Sequence, residues 1–155
     1  MGFKSKEMKK LWRKLEKVYF NIDPTIEKTV QNNENFIIKM NTEQMYKGEK
    51  ATGKEILPSY APATIAYKKR KGQPFDRVTL RDTGQFYKKL KVIARYKDFV
   101  IDTSLSGARP YGFLMKGKRS YGEDILGLND KNKKELVNKK LLKPLEKLFN
   151  TLKKC

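Results

Sequence analysis

Apolar residues near the start of the chain recur at helical spacing. From residue 8 to residue 22 they return every three or four positions, and lysines fill many of the places between them. This spacing puts one apolar stripe along a charged helix, which we predict over residues 5–21. Asp23 can cap a restart, and Pro24 suits a first helical position. The pattern therefore predicts two helices, or one kinked helix, ending near Asn33.

The middle of the chain changes to short runs that favour strands. Residues 36–40 are β-branched and apolar and predict one strand. Residues 92–96 and 99–103 alternate in polarity, and Lys97 with Asp98 makes a two-residue turn between them. These two runs predict the clearest hairpin in the chain, within a sheet that is small and mostly antiparallel.

Shorter elements lie around these strands. Residues 63–69 predict a helical turn, and residues 85–90 predict a short helix that turns Phe86 inward. Residues 78–80 are long enough only for an edge or arm strand, and residues 111–115 predict a strand or a turn.

The last part of the chain carries a second amphipathic pattern. Leucines form a continuous stripe within residues 129–153, where Asn129 or Asp130 can cap the helix. Pro144 lies inside the stripe and should kink it. We expect the apolar stripes of both terminal helices to face the core first.

These elements predict the α+β fold class, with N-terminal helices, a small mostly antiparallel sheet with a β-hairpin, and a C-terminal helix. We expect one domain over residues 1–155. Within it, residues 1–33 form a helical arm, residues 34–128 form the sheet and extended loops, and residues 129–153 form the closing helix.

The charge and composition of the chain limit the kinds of partner and catalytic site that it can have. The chain has 36 Lys and Arg against 17 Asp and Glu, a net charge of +19, which attracts nucleic acid, anionic membranes or acidic proteins. It has no His and one Cys, so Ser–His and Cys–His couples, His metal sites and internal disulfides are excluded. We expect no catalytic residue, no cofactor and no metal, and no membrane partner.

The triplet Asp82-Thr83-Gly84 is the one motif that suggests an active site. Aspartic proteases use such a triplet twice, to bring two carboxylates together around one proton. The residues around this single copy are instead typical of a helix start, so we assign Asp82 and Gly84 a structural capping role. Aspartic protease chemistry stays as the alternative.

A basic run precedes that triplet. Its candidate phosphate contacts lie between the aromatic residues Tyr67 and Phe75, an arrangement that suits backbone contact with nucleic acid. The alternative is a solvated loop, which most charge runs are. The candidate phosphate contacts are Lys68, Lys69, Arg70 and Lys71.

Three segments together resemble a known protein family. PSYAPATIAYKKRKGQP, VTLRDTGQFYKKLKV and YGEDILGL, followed by a closing helix, resemble the virion morphogenesis (tail completion) proteins of tailed bacteriophages. The likeness covers residues 56–152. The positions that match the family pattern are Thr64, Lys68, Leu80, Asp82, Thr83, Gly84 and Phe86.

The resemblance implies a non-enzymatic structural protein of the phage neck, part of the connector between head and tail. It implies a sixfold or twelvefold ring around the DNA channel, assembled in the bacterial host cytoplasm. Portal, adaptor or tail proteins would be its partners, with non-specific contact to packaged DNA.

Proline-rich extended segments suit arms that dock on a neighbouring subunit. The alternative function is a small basic nucleic-acid-binding protein. The subunit or partner interface is predicted at Tyr60, Thr64, Phe75, Val78 and Leu80.

Overall fold

Helices dominate the computed structural model, which describes residues 6–95, 98–103 and 120–153. The order of elements confirms the α+β class: helices first, one antiparallel hairpin, then helices at the end. The elements are α1 (Lys6–Asn32), α2 (Glu34–Tyr46), α3 (Pro62–Arg70), α4 (Gln85–Lys88), β1 (Lys91–Arg95), β2 (Asp98–Asp102), a 3₁₀ turn (Glu123–Ile125), α5 (Asp130–Leu136), a π-helical segment (Val137–Leu141) and α6 (Leu142–Lys153).

Helix α1 continues without a break through Pro24, so the predicted restart at Asp23 is wrong. The proline removes only the bond that its N–H would donate to the carbonyl of Phe20. The apolar stripe continues beyond it, because Val30 is buried in the core and Ile26 packs against that core. Tertiary packing of this stripe outweighs the loss of one hydrogen bond.

The strand predicted at residues 36–40 is also wrong, because these residues lie inside α2. The buried side chains of α2 recur at helical spacing, and Ile37 and Met45 are completely buried. β-Branched side chains favour strands only weakly, and burial of one helical face overrides that preference. The buried face consists of Ile37, Met40, Asn41, Gln44 and Met45.

The predicted hairpin is confirmed. Strands β1 and β2 pair antiparallel, with Val92 opposite Ile101 and Arg95 opposite Asp98. Asp98 therefore belongs to β2 rather than to the turn, while Tyr96 and Lys97 lie outside the described residues.

Other strand predictions have different outcomes. Residues 78–80 form no strand, and residues 111–115 lie outside the described part of the chain. Among the described residues the sheet has two strands.

The core lies between α2, the hairpin and the segments that flank the 3₁₀ turn. Phe86 is buried, as its place on the short helix predicted. None of the described helices is long and apolar enough to cross a membrane. The buried core residues are Val30, Ile37, Met40, Met45, Ile56, Val78, Phe86, Leu90, Ile101, Ile125, Leu128 and Leu136.

The closing helical region begins as predicted and then changes its winding. The side chain of Asn129 accepts a hydrogen bond from the backbone N–H of Asn132 at 2.9 Å, which confirms it as the cap. A π-helical segment, Val137–Leu141, separates α5 from α6. Pro144 follows this segment closely and cannot donate to the carbonyl of Lys140. The wider turn therefore lies where the regular hydrogen-bond ladder of the helix loses a donor.

Replacing Ile37 tests the assignment of residues 36–40 to a buried helical face. We expect Ile37→Ala to lower the free energy of unfolding by about 2–5 kcal/mol, because it opens a cavity in a filled core. Lys39→Ala, at an exposed position of the same helix, should change it by about 0.5 kcal/mol or less. Urea unfolding followed by circular dichroism measures both, and equal losses would contradict the assignment.

Candidate functional site

Residues 58–87, called here the clamp segment, are organised around the hydroxyl of Tyr60. This hydroxyl accepts hydrogen bonds from the backbone N–H groups of Thr79 at 2.9 Å and Leu80 at 3.1 Å. Leu80 has a φ of 53°, in the left-handed region that residues other than glycine rarely occupy. The surrounding contacts therefore hold Leu80 in a conformation that costs free energy by itself.

The same loop is held from its other side by Tyr87. The Tyr87 hydroxyl donates to the backbone carbonyl of Thr79, whose own side chain is completely buried. Burial raises the pKa of Tyr87, so its hydroxyl remains a hydrogen-bond donor across the ordinary pH range. Two tyrosines thus fix the backbone of the loop at Thr79.

Lys68 faces the interior of the clamp segment. Its side chain is in α3 with only 4% of the residue exposed. The ammonium donates to Gln73 Oε1 at 3.1 Å and to the backbone carbonyl of Arg81 at 2.8 Å. It also lies 5.0 Å from the centre of the Tyr60 ring. The prediction that Lys68 contacts phosphate is therefore wrong, because the ammonium is already bonded inside the protein.

Asp82 joins the clamp segment by its carboxylate and does not cap α4. It accepts from Lys71 Nζ at 3.0 Å and from the Tyr67 hydroxyl at 3.3 Å, and Gln73 donates to its backbone carbonyl at 3.0 Å. The hydrogen bond from Lys71 is the main reason that the pKa of Asp82 is lowered. The predicted cap at Asp82 is wrong.

Gly84 occupies the N-cap position of α4, with a left-handed φ of 80° that glycine adopts without strain. The hydroxyl of Thr83 accepts from the backbone N–H of Gln85 at 3.4 Å. The start of α4 is therefore formed by the two residues that follow Asp82.

The other predicted phosphate contacts lie at the exposed end of α3. Lys71 is engaged with Asp82, and its ammonium lies 4.5 Å from the centre of the Tyr67 ring. Lys69 lies 4.7 Å from the centre of the Phe75 ring, and Arg70 is exposed. Lys69, Arg70 and Lys71 are all exposed to an external anion, but Lys71 is already paired with Asp82.

The predicted interface residues separate into three groups. Tyr60, Thr64 and Leu80 line one open cleft of about 480 Å³. Phe75 is exposed outside this cleft. Val78 is only 2% exposed and belongs to the core, so its assignment to an interface is wrong.

The Asp82 carboxylate is engaged inside the clamp segment. It accepts hydrogen bonds from Lys71 and Tyr67, and the bond from Lys71 lowers its pKa. In the part of the chain that the structure describes, no three His, Cys, Asp or Glu side chains group to hold a metal ion. The arrangement acts as a structural support for its own loop.

The apolar stripe of α1 departs furthest from its prediction. It was expected in the core, yet Trp12 and Tyr19 are 71% and 72% exposed, and Met8 and Leu15 are exposed as well. Val18 is buried, and the continuation of the stripe toward Val30 joins the main core cluster. Helical periodicity identified this stripe. The spacing alone does not show which part of the stripe is buried by the rest of the chain.

The opposite face of α1 is basic. Its side chains border one shallow surface along the helix, with no carboxylate among the lining residues. This face combines a long row of cations with an exposed position, which gives it a strong positive potential. The residues are Lys6, Lys9, Lys10, Arg13, Lys14 and Lys17.

The chain matches no protein-family model, no curated protein and no solved structure. The likeness to tail completion proteins therefore rests on the sequence segments that carry it.

Replacing Tyr60 tests whether its hydroxyl holds the strained loop. We expect Tyr60→Phe to lower the free energy of unfolding by about 1–3 kcal/mol, because two backbone N–H groups lose their acceptor. Tyr67→Phe removes a hydroxyl at an exposed site and should cost about 0.5 kcal/mol. Chemical denaturation measures both variants, and an equal effect would show that the hydroxyl of Tyr60 has no special role.

Proposed function

We propose that the protein is a non-enzymatic structural subunit of a tailed-phage particle. It forms part of the head–tail connector, as a ring around the DNA channel. The observation that supports this proposal is the organisation of the clamp segment, which also carries the resemblance to tail completion proteins. Its polar groups bond to one another, while large apolar side chains beside them stay exposed.

The inward bonding is extensive. The polar atoms of three side chains hydrogen-bond to partners within the clamp segment: those of Tyr60, Lys68 and Asp82. These internal hydrogen bonds make the surface rigid. A rigid surface loses little conformational entropy when it binds, which suits a subunit that must fit a neighbour.

The exposed side chains supply the contact area. Leu57 and Phe75, called here the clamp rim, are both exposed. Aromatic side chains are enriched at the centres of protein interfaces. A closed ring repeats one contact between two different surfaces. In this proposal the clamp rim of one subunit meets the cleft at Tyr60 and Leu80 of the next.

The net charge of +19 indicates which partners such a ring would meet. A positive surface attracts acidic patches on portal, adaptor or tail proteins and directs their approach. It also attracts the phosphates of packaged DNA without regard to sequence. The place of action would be the neck of the virion, after assembly in the bacterial cytoplasm.

Native mass spectrometry and imaging of particles test the ring. We expect sixfold or twelvefold assembly, alone or with the head or tail proteins, and we expect Phe75→Ser to reduce it. Phe20→Ser removes a ring on α1 that is more exposed than Phe75, at 66% against 42%, and should leave the assembly intact. A chain that stays monomeric with every head and tail protein offered would overturn the proposal.

A second function is favoured by the basic face of α1. A row of cations on one exposed helix face can bind nucleic acid through its phosphates. This function would need no ring, since one helix of a single chain supplies the contact.

Salt titration of DNA binding tests this second function. We expect affinity to fall steeply as salt rises, and Lys10→Glu and Lys17→Glu should each reduce the slope by about 1. Lys39→Glu, on the exposed side of α2, is the matched control and should leave the slope unchanged. Affinity that is insensitive to salt, or to both α1 variants, would reject it.

A further inference from the structure

The exposed apolar residues of α1 follow the spacing of a coiled coil. Met8, Trp12, Leu15 and Tyr19 are separated by four, three and four residues. This is the alternation of the two apolar positions in a heptad, which forms a narrow seam for another helix. All four side chains are exposed. We call these four residues the α1 seam.

One flank of this seam already has a helical neighbour. Helix α6 packs along α1. Val18, one residue before Tyr19 and on the adjoining side of the helix, is only 4% exposed. This packing and the burial of Val18 indicate that α6 lies toward that flank, while the four side chains of the seam remain exposed. Helices α1 and α6 form a pair with one apolar side still open to water.

We propose that the α1 seam pairs with the α1 seam of a second copy of this chain, with the two helices antiparallel. The charges beside the seam select this occupant. Lys9 and Glu16 are seven residues apart, so they lie on the same flank, and both are exposed. In an antiparallel pair, this flank of one copy lies against the same flank of the other copy. Lys9 of each copy then faces Glu16 of the other.

The centre of the seam supports the same register. Pairing Met8 with Tyr19, and Trp12 with Leu15, places the two-fold axis midway along the seam. That axis lies between Lys9 and Glu16, so both charge contacts form together with the apolar contacts. A parallel pair would instead set this flank against the side of Val18, which has no charge to offer.

The size of the seam sets the strength of the pair. Trp12 and Tyr19 together expose roughly 300 Å², whereas a standard interface buries about 800 Å² on each side. The pair is therefore weak and depends on concentration. It is two-fold, while a ring repeats a contact between unlike surfaces, so the inference and the proposed ring can fail separately.

Charge exchange between copies tests the pairing. We expect Lys9→Glu and Glu16→Lys each to weaken self-association of the full chain by about tenfold, because two attractive contacts become repulsive. An equal mixture of the two variants should associate like the natural chain, since opposite charges face each other again. Analytical ultracentrifugation measures all three samples at low salt. Lys10→Glu makes the same charge change on the basic face and should leave association unchanged.

Fluorescence of Trp12 gives an independent readout, because it is the single tryptophan of the chain. Its emission should shift to shorter wavelength as protein concentration rises and the pair forms. The inference is overturned if the emission never shifts, or if the mixture associates no better than either variant alone. It is also overturned if the shift requires vesicles of phosphatidylglycerol and phosphatidylcholine, which would identify a membrane as the occupant. A ring that forms while Trp12 stays in water would leave the proposed function intact and reject this pairing.

Discussion

A buried polar contact joins α2 to the start of the closing helical region. The side-chain amide groups of Asn41 and Gln44 both donate to the backbone carbonyl of Gly127, at 2.7 Å and 3.1 Å. Gln44 accepts in return from the backbone N–H of Asn129 at 2.8 Å. Both donors are buried, so these bonds are made away from water, where an unmade bond is costly. They fix where α5 begins and, through it, how α6 reaches α1.

The clamp segment relies on the same kind of constraint at a smaller scale. A strained residue, Leu80, stays in place because Tyr60 and Tyr87 bond to the loop that contains it. Lys68 has its charge satisfied by a carbonyl and an amide rather than by a carboxylate. The hydrogen bonds that give the loop its shape therefore lie largely within the clamp segment itself.

The two contacts that we propose use different exposed surfaces. The clamp rim suits repeated contact between unlike surfaces, and the α1 seam suits contact between identical ones. Most of the basic face of α1 lies away from the seam, so pairing of two copies would occupy Lys9 but leave Lys6, Lys10, Arg13 and Lys17 open to acidic partners or phosphate. A single chain exposes both apolar surfaces at once, and large exposed aromatic groups are typical of proteins that function in assemblies.

The sequence by itself determined the helical stripes, the hairpin, a helix cap at Asn129 or Asp130 and the absence of histidine. Each of these depends on neighbours in the chain or on composition alone. Only the tertiary structure decided that Ile37 lies in a helix, that Lys68 is buried and that Trp12 is exposed. These outcomes depend on which distant segment of the chain packs on each helix face. The periodicity of apolar residues shows only that a helix has an apolar face. The contact of Asn41 with Gly127, 86 residues away, shows how far such information lies from the local pattern.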